Sequence, residues 1–346
     1  MANLKWSWMF SDEDDTTMGL LGWTLPGTGV DSANTYIYSY AGDPMRLNGL
    51  RWSGTAYFGQ TLTGPPNTAG TSGSISVPIY LANTPTTFYE TIRIMKDGTS
   101  TTIAARPTGV SSLGLYINNI LKETVSGLQL QNAWNYITLK YDMSVNPWSA
   151  QLFVNGSGSG ISYTESIAAA VATNFSFVGS SQTPGTNMYI GQVALYSDWV
   201  DTEKIRYVTR VNPTVDTSES GSWTPSVGSD NFAVISGSFS TSQYCENTGS
   251  EIGQNVVCQV TGALGLITQL GMSPSVIDGV TVHCWASGSG QNAVAGVSDN
   301  NSVWTTGSAI TPSSSPTYGY SSVSTQPSDG AVWNATSSLY IKYEIV

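Results

Sequence analysis

The segment Trp134–Gly156 constrains the fold most, because its pattern predicts two strands joined by a polar loop. In the first strand the apolar positions Ile137, Leu139 and Tyr141 alternate with Tyr, Thr and Lys. This two-residue period is typical of a strand that buries one face. A loop of Asp, Ser, Asn and Pro follows, and Trp148 opens a second strand that closes on an Asn-Gly turn. The segment therefore predicts a β-hairpin.

Short strands of the same kind recur through the first part of the chain. Segments 88–95, 113–117 and 120–125 are predicted as strands, and in the first of them Ile92 and Ile94 alternate with polar residues. Turn residues such as Asp97-Gly98 and Asn118-Asn119 separate these segments. Short strands with frequent turn residues predict an all-β sandwich. Helical periodicity is confined to two segments, 165–172 and 201–208.

A change in composition divides the chain into two parts. Residues 212–222 contain Pro213, small polar residues and acidic residues without a strand pattern, which predicts a linker. The length of 346 residues also exceeds what one hydrophobic core normally supports. We therefore expect two β-sandwich domains, 1–211 and 223–346. The predicted strands of the second domain are 232–235, 255–260, 280–286 and 339–345.

The hairpin and a later strand together carry a resemblance to a known family. The motif W-x-x-I-x-L-x-Y-D begins at Trp134, L-F-V-N-G ends at Gly156, and IGQVALYSDW occupies 190–199. These motifs resemble the concanavalin A-like lectin/glucanase jelly roll, of which laminin-G modules are one branch. The resemblance covers residues 1–211 and implies a jelly-roll sandwich. It specifies function weakly, because this sandwich serves lectins, glycosidases, adhesion modules and viral structural proteins.

The second domain resembles a different module. It opens with SWTPS and ends with LYIKYEIV. Between these segments Thr325, Pro327, Gly330 and Trp333 fit a T-x-P-x-x-G-x-x-W turn before the final strand. This arrangement resembles a β-sandwich (jelly-roll) module that recurs in virion proteins of tailed bacteriophages. The resemblance implies a structural role.

Composition excludes some classes of partner. The net charge of −11 argues against binding to a nucleic-acid backbone, which needs clustered Lys and Arg. No apolar run approaches the length of a membrane span, so we expect no membrane insertion. The first ten residues lack the features of a secretory signal, which predicts synthesis in a host cytoplasm without a signal peptide. Only 10% of residues are charged, which favours a surface packed against neighbouring subunits.

Motifs for catalysis are missing from the sequence. Laminarinase-type relatives of the first fold use an E-x-D-x-x-E strand, which this chain lacks. A Ser or Cys triad needs a histidine base, and the one histidine, His283, precedes Cys284 in a predicted strand, so the two face opposite sides. Cys245, Cys258 and Cys284 lack the spacing of a disulfide framework or a zinc site. The sequence therefore predicts a protein that is not an enzyme, with buried thiols and no cofactor.

One acidic loop leaves two interpretations open. Asp12, Asp14 and Asp15 lie together in the segment SDEDDTT. Clustered carboxylates are the ligands that calcium takes, and some lectin-type sandwiches bind calcium at their loop ends. The alternative is a solvated acidic turn at the end of a strand. The absence of a D-x-D-x-D-G pattern favours the turn over a structural calcium site.

Three tryptophans are candidates for contact with a glycan. Trp148 follows a loop, Trp199 ends a strand, and Trp304 lies in a Ser/Asn-rich loop. Sugars are recognised by aromatic faces that stack on their apolar sides, while Asn, Asp and Gly of loops bind the hydroxyls. The alternative for each tryptophan is packing in a core or between domains, and for any single tryptophan this is the commoner role.

Two functional hypotheses follow. The first is a non-enzymatic structural protein of a tailed-phage virion, a decoration or accessory protein that holds neighbouring capsid, neck or tail subunits. On this hypothesis the protein is a homo-oligomer located in the virion. The second is a host-recognition protein whose lectin-like domain binds cell-surface glycan. A glycan hydrolase with an unusual acid pair is a distant third. The low charge favours the first hypothesis.

Overall fold

The computed structural model of the chain divides into two compact units. The N-terminal unit consists of residues 7–208, and the C-terminal unit consists of residues 209–346 together with residues 3–6. The residues that the structure describes are 3–8, 35–39, 48–53, 61–63, 69–81, 92–96, 101–156, 161–168, 172–178, 187–199, 213–229, 231, 244–247, 251–260, 277–334 and 336–346.

Strands account for the regular structure described up to residue 199. In chain order they are β1 (Leu4–Trp8), β2 (Thr35–Ser39), β3 (Asn48–Ser53), β4 (Thr61–Thr63), β5 (Ser72–Leu81), β6 (Ile92–Lys96), β7 (Thr101–Gly109), β8 (Ser112–Ile117), β9 (Ile120–Ser126), β10 (Trp134–Asp142), β11 (Trp148–Val154), β12 (Ile161–Glu165), β13 (Ala172–Val178), β14 (Asn187–Ile190) and β15 (Val193–Tyr196). One sheet runs β12-β11-β10-β5-β14-β3-β2, and β15 also pairs with β5. A second sheet runs β4-β13-β6-β7-β8-β9. The predicted hairpin is confirmed as the antiparallel pair β10–β11.

Aliphatic side chains hold the two sheets of the N-terminal unit face to face. Strand β10 contacts β7, and β11 contacts β8 and β9. Ile137 and Leu139 of the first sheet are fully buried, as are Ile103 and Leu115 of the second. Burial of each such side chain stabilises the fold by roughly 1.5–3 kcal/mol. Two packed antiparallel sheets confirm the predicted all-β sandwich class.

The helix predicted over 165–172 is wrong. Glu165 ends β12 and Ala172 begins β13, so strands occupy both ends of that segment. Within β12 the side chains of Ile161, Tyr163 and Glu165 are more buried than those between them, because successive side chains of a strand point to opposite faces of the sheet. The other predicted helix, 201–208, lies outside the described residues.

The C-terminal unit is also built from strands. They are β16 (Val215–Ser220), β17 (Trp223–Pro225), β18 (Cys245–Asn247), β19 (Asn255–Val260), β20 (Val280–Ala286), β21 (Ala293–Ser298), β22 (Thr305–Thr306), β23 (Thr317–Val323) and β24 (Leu339–Ile345). One sheet runs β16-β19-β24-β21-β22, and β17–β18 and β20–β23 form two-stranded sheets. The bounds predicted for β19, β20 and β24 are confirmed, whereas 232–235 lies outside the described residues.

The core of the C-terminal unit mixes aliphatic, thiol and aromatic side chains. Cys258, Cys284, Ile341 and Trp333 belong to one buried cluster with several valines. Cys284 therefore points into this core, while its neighbour His283 contacts Tyr318 on the other face. This confirms that adjacent residues of β20 face opposite sides.

The segment predicted to be a linker contains a strand. Val215–Ser220 forms β16 and pairs with β19 from Val215 opposite Gln259 to Ser220 opposite Asn255. The strand lies at the edge of its sheet, and most of its side chains are exposed, so its polar composition suits that position. A register shift between Asp216 and Ser218 interrupts the pairing. A bulge and acidic residues are common ways to keep an edge strand from pairing with another chain.

The first described residues belong to the C-terminal unit. Trp6 is fully buried, and its indole nitrogen donates to the hydroxyl of Tyr318 at 2.8 Å. The hydroxyl of Ser322 donates to the carbonyl of Leu4 at 3.4 Å. Leu4 and Trp6 therefore belong with the C-terminal unit, because their partners on β23 are distant in sequence. The domain bounds 1–211 and 223–346 stay a prediction.

The turn that precedes the final strand is formed as the motif predicts. The backbone N–H of Gln326 donates to Ala331 O at 2.8 Å, and that of Gly330 donates back to Gln326 O at 2.9 Å. Gly330 adopts φ 72°, in the left-handed region where glycine is favoured. Trp333 then enters the core. Among the described residues, none belongs to a helix of the length and apolarity that crossing a membrane requires.

Candidate functional site

Polar and aromatic side chains occupy the face of the first sheet that points away from the sandwich core. Residues directly opposite in antiparallel strands share a face. Lys140 on β10 therefore lies beside Gln151 on β11, and Thr138 lies beside Phe153. The hydroxyl of Ser76 on β5 is 3.0 Å from that of Thr138. This face is not the open one that alternation predicts, since Thr138 and Lys140 are each only 9% exposed.

Aromatic rings cover Lys140. Its Nζ atom lies 5.0 Å from the ring centroid of Phe153 and 5.6 Å from that of Trp199. A cation at this distance is attracted to the electron-rich ring face. The Trp199 indole nitrogen also donates to the carbonyl of Tyr141 at 3.1 Å. The hydrogen bond to Tyr141 and the contact with Lys140 thus hold the indole in place, while 39% of the residue remains exposed. We call Trp199, Lys140 and Phe153 the Trp199 platform.

The loop after β10 adjoins this platform, because Tyr141 is both the last residue but one of the strand and the partner of Trp199. Asp142 Oδ1 accepts hydrogen bonds from the backbone N–H of Ser144 at 2.9 Å and from its hydroxyl at 2.6 Å. The hydroxyl of Ser166 donates to Asn146 Oδ1 at 3.2 Å. Ser144 and Asn146 are exposed. The loop therefore holds ordered hydroxyl, amide and carboxylate groups, and it begins one residue after the carbonyl that binds the Trp199 indole.

The prediction that Trp148 contacts a glycan is wrong. Trp148 is fully buried, and its indole nitrogen donates to the carbonyl of Ala168 at 3.0 Å. The register of β11 puts Trp148 on the same face as Ala150 and Leu152, which is the face toward the second sheet. Neither face of this indole is open to a ligand.

Trp304 lies in the C-terminal unit and is half-buried. The Nζ atom of Lys342 on β24 lies 4.9 Å from its ring centroid, and the same Nζ is 2.6 Å from Glu344 Oε2. A Cβ atom at Gly296 on β21 would be 3.3 Å from the Trp304 ring. Glycine at this position therefore lets the indole approach the sheet closely. We call Trp304, Lys342 and Gly296 the Trp304 platform.

The acidic loop lies outside the described residues. Asp12, Asp14 and Asp15 thus remain a prediction for calcium. In the part of the chain that is described, no three His, Cys, Asp or Glu residues are grouped in a way that could hold a metal ion.

An aromatic cluster on β20 and β23 was missed by the sequence analysis. His283 Nδ1 lies 2.8 Å from the hydroxyl of Tyr318, which also accepts from Trp6. The ring of Trp285 is 5.6 Å from that of Tyr318. Burial raises the pKa of Tyr318 well above its ordinary value, so its hydroxyl stays protonated. Each strand shows the alternation that places these rings, but their proximity depends on a register that the sequence does not reveal.

The thiols are held in their protonated form. Burial raises the pKa of Cys245 to about 12, and the carboxylates of Asp216 and Glu219 add to the effect. Burial likewise raises the pKa of Cys284 to about 12. The thiolate is the nucleophilic form of cysteine, so both groups are poor nucleophiles at neutral pH.

Comparisons with known proteins give similarities of structure only. No family model matches the chain, and no curated protein matches it. Domain 4 of AbnA, a GH43 extracellular arabinanase from Geobacillus stearothermophilus in complex with arabinotriose, is 14% identical, with a TM-score of 0.39, over 58% of this chain and 96% of that one. Basic winged bean lectin with Tn-antigen is 11% identical, with a TM-score of 0.35, over 55% and 97%. Trypanosoma rangeli sialidase in complex with the inhibitor DANA is 11% identical, with a TM-score of 0.35, over 52% and 31%.

These solved structures are lectins and domains of glycan-acting enzymes. The class of this chain, an all-β sandwich protein, rests on the strand pairing and sheet packing described above. The concanavalin A-like topology and the phage module stay predictions.

Proposed function

We propose that this protein is a non-catalytic carbohydrate-binding protein and that its N-terminal unit contacts a glycan through the Trp199 platform. The observation that carries the proposal is an indole that is 39% exposed yet fixed by a hydrogen bond to Tyr141 and by the ammonium group of Lys140. An aromatic side chain that is ordered before binding loses little conformational freedom when a ligand arrives.

The chemistry of the Trp199 platform and of the loop after β10 suits a sugar. A pyranose ring has an apolar face of C–H groups, which stacks on an aromatic ring, and a rim of hydroxyls, which needs hydrogen-bond partners. Ser144, Asn146 and Asp142 offer such partners in a loop that their own hydrogen bonds hold in place.

The proposal contains no catalytic step. The chain lacks the E-x-D-x-x-E pattern of laminarinase-type strands. His283 lies against Tyr318 and Trp6 in the C-terminal unit, and its neighbour Cys284 points into the core. Binding through an ordered aromatic platform requires none of these groups.

A printed array of neutral and sialylated oligosaccharides tests the proposal. We expect the protein to bind neutral glycans and the Trp199→Ala variant to lose about tenfold in affinity, which corresponds to about 1.4 kcal/mol. Tyr244→Ala is the matched control, since Tyr244 is an exposed aromatic residue of the C-terminal unit. Its affinity should be unchanged. The proposal would be contradicted if the native chain bound no glycan on the array, or if the native chain and Trp199→Ala bound equally well.

A structural role in a tailed-phage virion is the second candidate function. It is supported by the low charge of the chain and by large apolar side chains exposed in the C-terminal unit, with Ile252 at 71%, Val227 at 56% and Tyr244 at 50%. Exposed apolar and aromatic groups are enriched where subunits pack together. In this role the partners are capsid, neck or tail subunits and further copies of the chain. Quantitative mass spectrometry of purified particles decides it, because absence of the chain from particles would sink this role.

A further inference from the structure

We propose that the Trp304 platform is a second carbohydrate contact, so that a single chain is bivalent. The inference rests on the proposed function for the class of ligand. It goes beyond that function because it assigns a separate site to the C-terminal unit, built from residues of that unit alone.

The two platforms are constructed alike. At each, a lysine on a long strand of the sheet places its ammonium group against the ring of a tryptophan, at 5.6 Å for Lys140 and Trp199 and at 4.9 Å for Lys342 and Trp304. The tryptophan lies outside the strand that supplies the lysine. Trp148, by contrast, is fully buried, so neither face of its ring is open to a ligand.

The loop that presents Trp304 is ordered by its own hydrogen bonds. Asn300 Oδ1 accepts from the backbone N–H of Ser302 at 2.9 Å and from that of Val303 at 3.0 Å. The backbone N–H of Asn300 in turn donates to the hydroxyl of Ser298 at 3.2 Å. Beneath the ring, Gly296 leaves the space that a larger residue would fill. The indole is therefore positioned before a ligand binds.

Polar groups share the face of the sheet on which Trp304 lies. Gly296 is opposite Thr306 on one side and Lys342 on the other, and opposite residues point to the same face. Glu344 follows two positions after Lys342 and pairs with it. A hydroxyl, an ammonium and a carboxylate thus border the indole, which is the set of groups that sugar hydroxyls use as partners.

Charge defines the kind of glycan. The ammonium group of Lys342 is already paired with Glu344, and that of Lys140 lies between two aromatic rings. Neither platform presents an uncommitted cation to a carboxylate or sulfate group. The net charge of −11 also repels anionic chains at moderate ionic strength. Both sites therefore take neutral oligosaccharides in preference to sialylated ones.

Two sites on one chain change how it binds a surface. When a surface carries many copies of the ligand, the second contact forms within an already bound complex, and avidity exceeds the affinity of either site. Two aromatic platforms of low affinity then suffice for firm attachment to a polysaccharide. A free oligosaccharide, which occupies one site at a time, exchanges rapidly.

The test is the number of ligands bound per chain, measured by native mass spectrometry with the neutral oligosaccharide that gives the strongest array signal. We expect two equivalents for the native chain, one for Trp199→Ala, one for Trp304→Ala and none for the double variant. Trp304→Phe, which keeps a ring over Gly296, should recover the second equivalent and shows that any loss reflects the ring rather than unfolding.

Each alternative outcome has a distinct meaning. One equivalent that disappears in Trp199→Ala and persists in Trp304→Ala overturns the second site and leaves the proposed function intact. One equivalent that disappears only in Trp304→Ala overturns the role of Trp199 instead. Equal occupancy by sialylated and neutral oligosaccharides would contradict the stated ligand class.

Discussion

Trp148 follows the loop after β10 and Trp199 hydrogen-bonds to the end of β10, yet the fold uses these two tryptophans in opposite ways. Trp148 opens β11 and is fully buried, whereas Trp199 follows β15 and is 39% exposed. Both indole nitrogens donate to a backbone carbonyl at nearly the same distance, 3.0 Å to Ala168 and 3.1 Å to Tyr141. A satisfied indole nitrogen therefore does not distinguish a core tryptophan from a surface platform. The two differ in the exposure of the ring, which is fully buried in Trp148 and partly open to solvent in Trp199.

The difference arises from strand register. Trp148 lies opposite Glu165, on the side of the sheet that faces the second sheet of the sandwich. The ring of Trp199 lies near Lys140 and Phe153, which belong to the other side of the same sheet. One tryptophan completes a core, and the other covers a lysine that would be costly to bury alone.

The largest expected difference between Trp148 and Trp199 is the loss of stability when the ring is removed. We expect Trp148→Ala to lower the free energy of unfolding by about 3–5 kcal/mol, because truncation leaves a cavity between the sheets and removes the hydrogen bond to the carbonyl of Ala168. Urea denaturation at pH 7 measures this change. Trp148→Phe serves as the control that keeps most of the ring volume, and it should cost less. A cost below that of Trp199→Ala would contradict the assignment of Trp148 to the core.

The sequence predicted the strands whose alternation is strict. Strand β10 alternates apolar and polar residues along most of its length, and β20 and β24 do the same, so their bounds agree with the structure. The strand Val215–Ser220 was not predicted, because its composition is that of a linker and only its pairing with β19 makes it a strand. An edge strand needs little apolar character, since one side and most of its side chains meet solvent.

The sites were less predictable than the strands. Trp199 and Trp304 were singled out together with Trp148, and nothing in their neighbouring residues separates the buried ring from the other two. The lysine under each platform comes from a strand distant in sequence, Lys140 for Trp199 and Lys342 for Trp304. Such a pair becomes visible only when the order of strands in the sheet is known.

Tyr141 connects the two environments, and its titration offers a second way to separate them. Its phenol is buried on the side of Trp148, while its carbonyl accepts the hydrogen bond of Trp199. Burial raises the pKa of this phenol above its ordinary value of 10.0. Above about pH 10 the unfolded chain loses this proton while the folded chain retains it, so the contribution of Tyr141 to stability falls as pH rises.

We expect Tyr141→Phe to lower the free energy of unfolding by about 1–1.5 kcal/mol at pH 7, through loss of the hydrogen bond between the phenol and the backbone of Gly70. The difference between variant and native chain should shrink at pH 11, because only the native chain carries this titrating group. Denaturation curves at the two pH values measure both quantities. An equal difference at both would show that the phenol is not protected from solvent.

The smallest effect on stability is expected where the effect on binding is largest. Trp199→Ala removes one hydrogen bond and one contact with an ammonium group at a site open to water, so it should cost about 1 kcal/mol or less. Trp199→Phe keeps a ring over Lys140 but lacks the N–H group, and its stability should lie between those of the native chain and the alanine variant. The urea midpoint measures both. If Trp199→Ala destabilised the chain as much as Trp148→Ala, then Trp199 would act in packing, and the tenfold loss of glycan affinity could no longer be attributed to a lost stacking surface.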